Sequence, residues 1–293
     1  MTEAEWVACT DPNQMLAWLK GLASPKNVRS SGGSPSGRRR RESKIGIRTS
    51  SRKLCLFASA CCRRIWDGMK EEASRNAVVV LEQFADRRAR LADLKTARDA
   101  AGEVAQLPSS EDPRSRPPVG SWYAARAACG AGKTEWDNAL YTAWAAGAAA
   151  ATADTRWDDP AWEKVLYAAW IRYNAECADR WDDFFWEASF ELGWDDFVSF
   201  PGWVAERKAQ ASLLRDISGN PFRPVTIDRA WRTATAVAIA QAIYDERAFD
   251  RLPVLADALE DAGCDNADLL GHCRSPGPHV RGCWVVDLLL GKE

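Results

Sequence analysis

Histidine and methionine are scarce in this chain of 293 residues, which contains two of the first and three of the second. No run of 18 apolar residues occurs without interruption, so a membrane-spanning helix is not expected. The amino-terminal segment MTEAEWVACTDP has neither a basic start nor an apolar stretch behind it, so no secretory signal is expected. These absences predict a cytoplasmic protein without a membrane partner.

Neither sign of charge is in large excess, because 39 Lys and Arg face 41 Asp and Glu, for a net charge of -2. That balance excludes a wholly basic nucleic-acid binder but not a local basic segment. With 46% hydrophobic residues the chain can form one large domain or two ordinary ones. The nine cysteines are scattered, which favours reduced thiols in the cytoplasm over a disulfide framework.

The positive charge is concentrated near the amino terminus. Residues 1–53 contain 11 basic and 4 acidic residues, whereas residues 122–203 contain 6 basic and 14 acidic ones. Segment 24–53 is rich in Ser, Gly and Arg without apolar periodicity, so we expect a long, disordered and mobile loop. No aromatic residue lies between its arginines to stack on bases. We therefore interpret it as a solvated insertion, with nucleic-acid binding through the Arg-rich loop as an alternative.

Apolar residues recur at helical spacing, and strand-like alternation of any length is missing. Thr10-Asp11-Pro12 is a helix start, and the spacing of Leu54, Phe57, Cys61, Ile65 and Met69 predicts a helix from Arg52 to Glu72. Further helices are predicted from Ser74 onward and over Leu91–Gln106, Pro201–Ser218, Thr233–Arg247, Asp250–Ala262 and the final segment GCWVVDLLLGKE. The predicted fold class is all-α, as a multi-helix bundle or an irregular helical repeat array.

Four prolines in segment 107–121 predict a linker between helical parts. The expected organisation is an N-terminal helical region over residues 1–106, which contains the basic insertion, and a second region over residues 122–293. In that second region, Trp-rich repeats pack with the C-terminal helices. The two regions could also form a single domain.

Ten of the fifteen tryptophans lie between Trp122 and Trp203. Segments 136–144, 162–170 and 186–194 each begin and end with tryptophan and carry an acid beside the first one. Residues eight positions apart on an α-helix differ in direction by only about 80°. The pattern predicts three successive helices that pack through tryptophan stripes. An exposed aromatic face that binds a partner is the alternative.

Two motifs with catalytic or nucleotide chemistry are weak. Segment 127–134, AACGAGKT, approximates a phosphate-binding loop, but that loop needs a preceding buried strand, and SWYAARAA is made of helix formers. A Cys/His nucleophile pair has no supporting local pattern. We therefore predict no catalytic residue and no bound organic cofactor.

The strongest candidate site lies in segment 264–283, CDNADLLGHCRSPGPHVRGC, which contains both histidines of the chain. Zinc takes four nitrogen or sulfur ligands in a tetrahedron, and short loops usually supply them. The ligands predicted here are Cys264, Cys273, His279 and Cys283, with His272 as an alternative ligand. No glutamate base stands nearby as in a metalloprotease, so the metal would be structural. The other interpretation is that these cysteines are buried and His279 bonds its own loop.

The ends of the chain are similar to known sequences. MTEAEWVACTDP, RKLCLFASACCRRIW and GPHVRGCWVVDLLLGKE resemble a family of uncharacterised proteins abundant in planctomycete bacteria. In these relatives the first helix runs almost directly into the RKL segment, so the resemblance implies that residues 25–51 are an insertion. It implies no catalytic residues, because no activity is established for the family.

The leading functional hypothesis is a non-catalytic, cytoplasmic helical protein that acts as an interaction scaffold for a protein partner. The helical repeat with tryptophan stripes and the lack of a convincing catalytic constellation favour this hypothesis. The rival hypothesis is a zinc-binding protein that uses the C-terminal Cys/His cluster.

Overall fold

The computed structural model describes residues 1–23, 50–104, 135–151 and 201–292. Within these ranges the chain forms eleven α-helices and three short 3-10 turns, without a strand, which confirms the all-α class. The helices are α1 (Glu3–Ala8), α2 (Pro12–Ala23), α3 (Ser51–Arg64), α4 (Glu72–Ala85), α5 (Leu91–Val104), α6 (Glu135–Ala151), α7 (Pro201–Ser218), α8 (Ala234–Glu246), α9 (Leu252–Asp261), α10 (Ala267–Arg274) and α11 (Trp284–Leu290). None of the helices described has both the length and the apolar character that a membrane span requires.

Several sequence predictions concern residues outside the described ranges. These are most of the basic insertion, the linker 107–121, the segment AACGAGKT and the tryptophan segments 162–170 and 186–194. The first tryptophan segment, 136–144, lies inside α6, so its helix is confirmed, but the side chains at both of its ends are outside the description.

Polar side chains cap the starts of several helices at the positions that N-caps require. Thr2 Oγ1 accepts the Glu5 N–H at 3.3 Å while the Glu5 carboxylate accepts the Thr2 N–H at 2.6 Å, which is a complete capping box. Ser50, Thr233 and Asn266 accept a backbone N–H in the first turns of α3, α8 and α10. These caps fix the helix starts that lead into the site region.

The predicted helix over residues 52–72 was wrong in its second half. Helix α3 ends at Arg64, a 3-10 turn follows at Trp66–Gly68, and α4 begins at Glu72, ahead of the expected Ser74. Met69 is fully buried in the same core as Cys61 because the chain turns back onto that core. The apolar spacing therefore marks residues that are buried on either side of a turn, and it does not indicate one continuous helix.

The predicted mobile segment extended too far at its C-terminal end. Ser50 is the N-cap of α3, and Arg52 and Lys53 lie in its first turn. Both side chains form ion pairs with Asp287, on α11. A segment anchored in this way is part of the fold, so residues 50–53 do not belong to the loop.

The helices bury two main apolar cores. The first contains Trp6, Leu16, Phe57 and Leu214, from helices α1, α2, α3 and α7, together with the alanine face of α6. The second is formed by the C-terminal helices α8 to α11. Helix α7 connects them, because Ile217 belongs to the first core while the adjacent Asp216 bonds with the segment between α10 and α11.

Glycine is required where this segment meets α3. Gly282 has a φ of +98°, and a Cβ built there would lie 2.9 Å from Leu56 Cδ1. The Lys53 ammonium donates to the carbonyl oxygens of Gly282 at 3.0 Å and of Ile217 at 2.9 Å. The start of α3 therefore holds the end of α7 and the residue before Cys283 in fixed positions.

Candidate metal centre

Four side chains with metal-binding atoms converge between α7 and the C-terminal helices. Their candidate ligand atoms all lie within 4.8 Å of one another. The members of this four-residue group are Asp216, His272, His279 and Cys283. Asp216 is in the last turn of α7, His272 on α10, His279 in the loop after α10, and Cys283 at the N-cap of α11.

Direct contacts define which atom of each residue points inward. Asp216 Oδ1 lies 2.7 Å from His279 Nδ1 and 3.1 Å from His272 Nε2. His272 Nε2 also lies 3.2 Å from Cys283 Sγ. One carboxylate oxygen, two ring nitrogens and one sulfur therefore face a common point.

The atoms that face away from this point are bonded to the backbone. His279 Nε2 lies 3.1 Å from the Ser275 carbonyl oxygen and donates to it. Nδ1 donates to the Asp216 carboxylate, so a metal ion would have to replace the hydrogen on Nδ1. Asp216 Oδ2 accepts the Val280 N–H at 2.9 Å, which leaves Oδ1 facing the group. Metal-binding histidines are usually oriented by such a bond from the second ring nitrogen.

Asp216 and Cys283 are buried and the two histidines are partly buried, and this burial affects the ionisation of the group. Burial raises the pKa of the Cys283 thiol well above its usual value, although N–H groups of Val285 and Val286 oppose this. For Asp216 burial also favours the neutral form, but hydrogen bonds from His272 and His279 outweigh it and lower the pKa of the carboxyl. Burial favours neutral His279, but its bond to Asp216 outweighs that and raises the pKa of the imidazole. A metal ion would have to displace the thiol proton on binding.

The spacing of the four atoms is close to that around zinc. Zinc bonds of about 2.0–2.3 Å put tetrahedral ligand atoms about 3.3–3.6 Å apart. The three direct contacts, of 2.7, 3.1 and 3.2 Å, are shorter than that, and all pairs of ligand atoms lie within 4.8 Å. Zinc binding would therefore require the side chains to move apart at the short contacts.

The structure brings together part of the predicted ligand set. His279 and Cys283 belong to the four-residue group, and so does His272, which was the alternative ligand. Cys264 and Cys273 are buried in the C-terminal core and are not members of it. Burial raises the pKa of Cys273 to about 12, as expected for a thiol in apolar surroundings.

Sequence reasoning missed Asp216, which is separated from His279 by 63 positions. An indication was present in the sequence LLRDIS, where the apolar face of α7 runs through Leu213 and Ile217. Asp216 lies on that face, three residues after Leu213. A buried acid requires a partner, so its position on an apolar face marked it as a candidate.

No protein-family model, curated protein or solved structure matches this chain. The resemblance of the chain ends to planctomycete proteins therefore stays a prediction. Function is accordingly inferred from the geometry of the four-residue group.

The Asp216–His279 contact predicts opposite pH dependences with and without a metal. Without metal, the raised pKa of His279 gives stability that is fully present below the unfolded value of 6.5 and is lost as pH rises through the folded pKa. With zinc, binding requires neutral imidazoles and a thiolate, so stability increases with pH over the same range. Melting temperatures at successive pH values, with chelator and with equimolar zinc, measure both slopes.

His279→Gln is the control for this pH prediction, because glutamine does not titrate. This variant should lose the metal-free pH dependence above pH 6.5 that His279 causes. Equal slopes with chelator and with zinc in the unchanged protein would contradict metal binding at this group.

Proposed function

We propose that this protein binds one zinc ion through Asp216, His272, His279 and Cys283, and that the ion stabilises an all-helical fold. The observation that carries the proposal is the convergence of four ligand atoms from separate chain segments within 4.8 Å. Two imidazoles with one thiolate and one carboxylate suit zinc, whereas calcium and magnesium take oxygen ligands.

A structural role for the ion is favoured over a catalytic one. A catalytic zinc keeps one coordination position for water or substrate, whereas structural zinc has four protein ligands. Here the protein supplies four ligands, and the Cys283 side chain is fully buried. The site is therefore built to connect α7 with the C-terminal helices.

For the whole protein we propose a non-catalytic, cytoplasmic role as a helical scaffold that binds a protein partner. The closed metal site supports the non-catalytic part of this proposal. The compartment is supported by the cysteines, because the seven in the described ranges are all free thiols. Such a scaffold would need zinc for its shape and not for a reaction.

Metal analysis of the purified full chain, produced without a histidine tag, tests the zinc proposal. We expect one zinc ion per chain, and a strong chelator should lower the melting temperature. Replacement of zinc with cobalt should produce visible absorption of tetrahedral cobalt with a charge-transfer band from the Cys283 thiolate. Metal-free protein that melts at the same temperature with and without chelator would refute the proposal.

A further inference from the structure

A second polar cluster surrounds the phenol of Tyr244, where α3, α8 and α11 approach one another. In this part of the described chain four cationic side chains contact two carboxylates, and a fifth cation lies over the Tyr244 ring. The cations are Arg52, Lys53, Arg88, Arg281 and Lys292, and the carboxylates are Asp86 and Asp287. We call this set the Tyr244 cluster.

The two carboxylates of the Tyr244 cluster are already engaged by other groups. Arg52 binds Asp287 through two bonds of 2.6 and 3.0 Å, and the Lys53 ammonium lies 2.8 Å from the same carboxylate. Asp86 accepts hydrogen bonds from the Tyr244 hydroxyl and from Arg88. Three positive charges of the cluster are therefore not matched by a carboxylate within it.

Arg281 has few partners for a buried cation. Its side chain is only 11% exposed, and its guanidinium stands 4.7 Å from the centre of the Tyr244 ring. It makes one long hydrogen bond, of 3.3 Å, to the Tyr244 carbonyl oxygen, and its closest contact with Asp86 is 3.9 Å. Its buried Nε has no hydrogen-bond partner. Buried guanidinium groups normally use most of their five N–H donors.

Lys292 brings a second cation to the same ring. Its ammonium nitrogen lies 4.5 Å from the centre of the Tyr244 ring. Burial favours neutral Asp86, but the bond from Tyr244 and the charges of Arg52, Lys292 and Arg281 outweigh it and lower the pKa of Asp86. Arg281 and Lys292 thus both lie against the Tyr244 ring and both act on Asp86, and among the described residues neither uses all of its hydrogen-bond donors.

We propose that Arg281 and Lys292 bind a phosphate-type oxyanion beside Tyr244, with Arg88 at the rim. A guanidinium fork matches two oxygens of such an anion, and an ammonium adds a point charge. A doubly charged anion also suits the three unmatched positive charges. The Arg281 side chain is only 11% exposed, which favours a small anion such as free phosphate over a large one. None of the side chains of this site belongs to the four-residue group, although Arg281 lies between His279 and Cys283 in the sequence.

Melting of the full chain in inorganic phosphate, compared with chloride at equal ionic strength, tests this proposal. We expect the melting temperature to rise with phosphate and to saturate, as it does for a ligand that binds only the folded state. Arg281→Gln and Lys292→Gln should each weaken phosphate binding about tenfold or more, since a charged hydrogen bond is lost. Calorimetric titration gives the affinities directly.

The matched control is Arg251→Gln, because Arg251 is an exposed arginine paired with Glu246 in the same C-terminal region. This variant should bind phosphate like the unchanged protein. Lys292→Gln keeps the test decisive if Arg281→Gln does not fold. The proposal would be overturned if phosphate caused no saturable rise in melting temperature, or if the rise were equally large in Lys292→Gln. Equal saturable binding of acetate would show that the site takes carboxylates and would overturn the proposal too.

Discussion

Replacing Cys283 with alanine is expected to abolish zinc binding and to unfold the C-terminal helices. A structural zinc contributes on the order of 10 kcal/mol of binding free energy coupled to folding. Loss of the only thiolate in the four-residue group would remove much of that energy, because the other three ligands bind zinc without a sulfur. Zinc content, circular dichroism and urea denaturation of the variant measure the effect.

Cys273→Ala is the matched control for this experiment. Cys273 is as fully buried as Cys283 and lies in the same core, but it is outside the four-residue group. Its replacement should keep one zinc per chain and cost about 1 kcal/mol, as for a deleted methyl group. Zinc loss in Cys273→Ala would instead support the ligand set that the sequence predicts. Unchanged zinc content in Cys283→Ala would refute the centre.

The helices could be predicted where apolar periodicity and end signals agree. Helix α7 begins and ends as predicted, at Pro201 and Ser218, and α11 ends at Leu290 with Gly291, which has a φ of +66°, as its C-cap. The region around Met69 could not be predicted in this way. A buried position calls for an apolar residue whether the backbone there continues as a helix or forms a turn. Apolar periodicity alone therefore does not distinguish a continuous helix from a helix followed by a turn.

The candidate site was predictable only within one segment of sequence. His272, His279 and Cys283 are close along the chain, and that concentration indicated a metal site. Asp216 comes from a helix that packs against this segment only in the folded state, so its place on an apolar helix face indicated burial but not which residues it would contact. Cysteine serves equally well as a small apolar residue and as a ligand. Cys273 could therefore not be separated from Cys283 without the fold.

Asp287→Asn is expected to destabilise the protein by about 3–5 kcal/mol, because it breaks a buried ion pair by removing one partner. Asp287 is only 2% exposed and is the shared partner of Arg52 and Lys53. Burial disfavours the charge of Arg52, but its bonds to Asp287 raise the pKa of the guanidinium. Asparagine would keep the shape of the site and leave both cations without their carboxylate. Urea denaturation monitored by circular dichroism measures the loss.

An exposed carboxylate with the same kind of partner provides the comparison. Glu260 accepts bonds of 2.8 and 2.6 Å from Arg274, and its side chain is 45% exposed. Glu260→Gln should cost far less than Asp287→Asn, because water screens the pair and solvates the remaining arginine. A similar loss of unfolding free energy in both variants would mean that burial does not determine the strength of the Asp287 contacts. A large loss in Asp287→Asn alone would show that this residue joins α3 to the C-terminal helices, because Arg52 and Lys53 both lie in the first turn of α3.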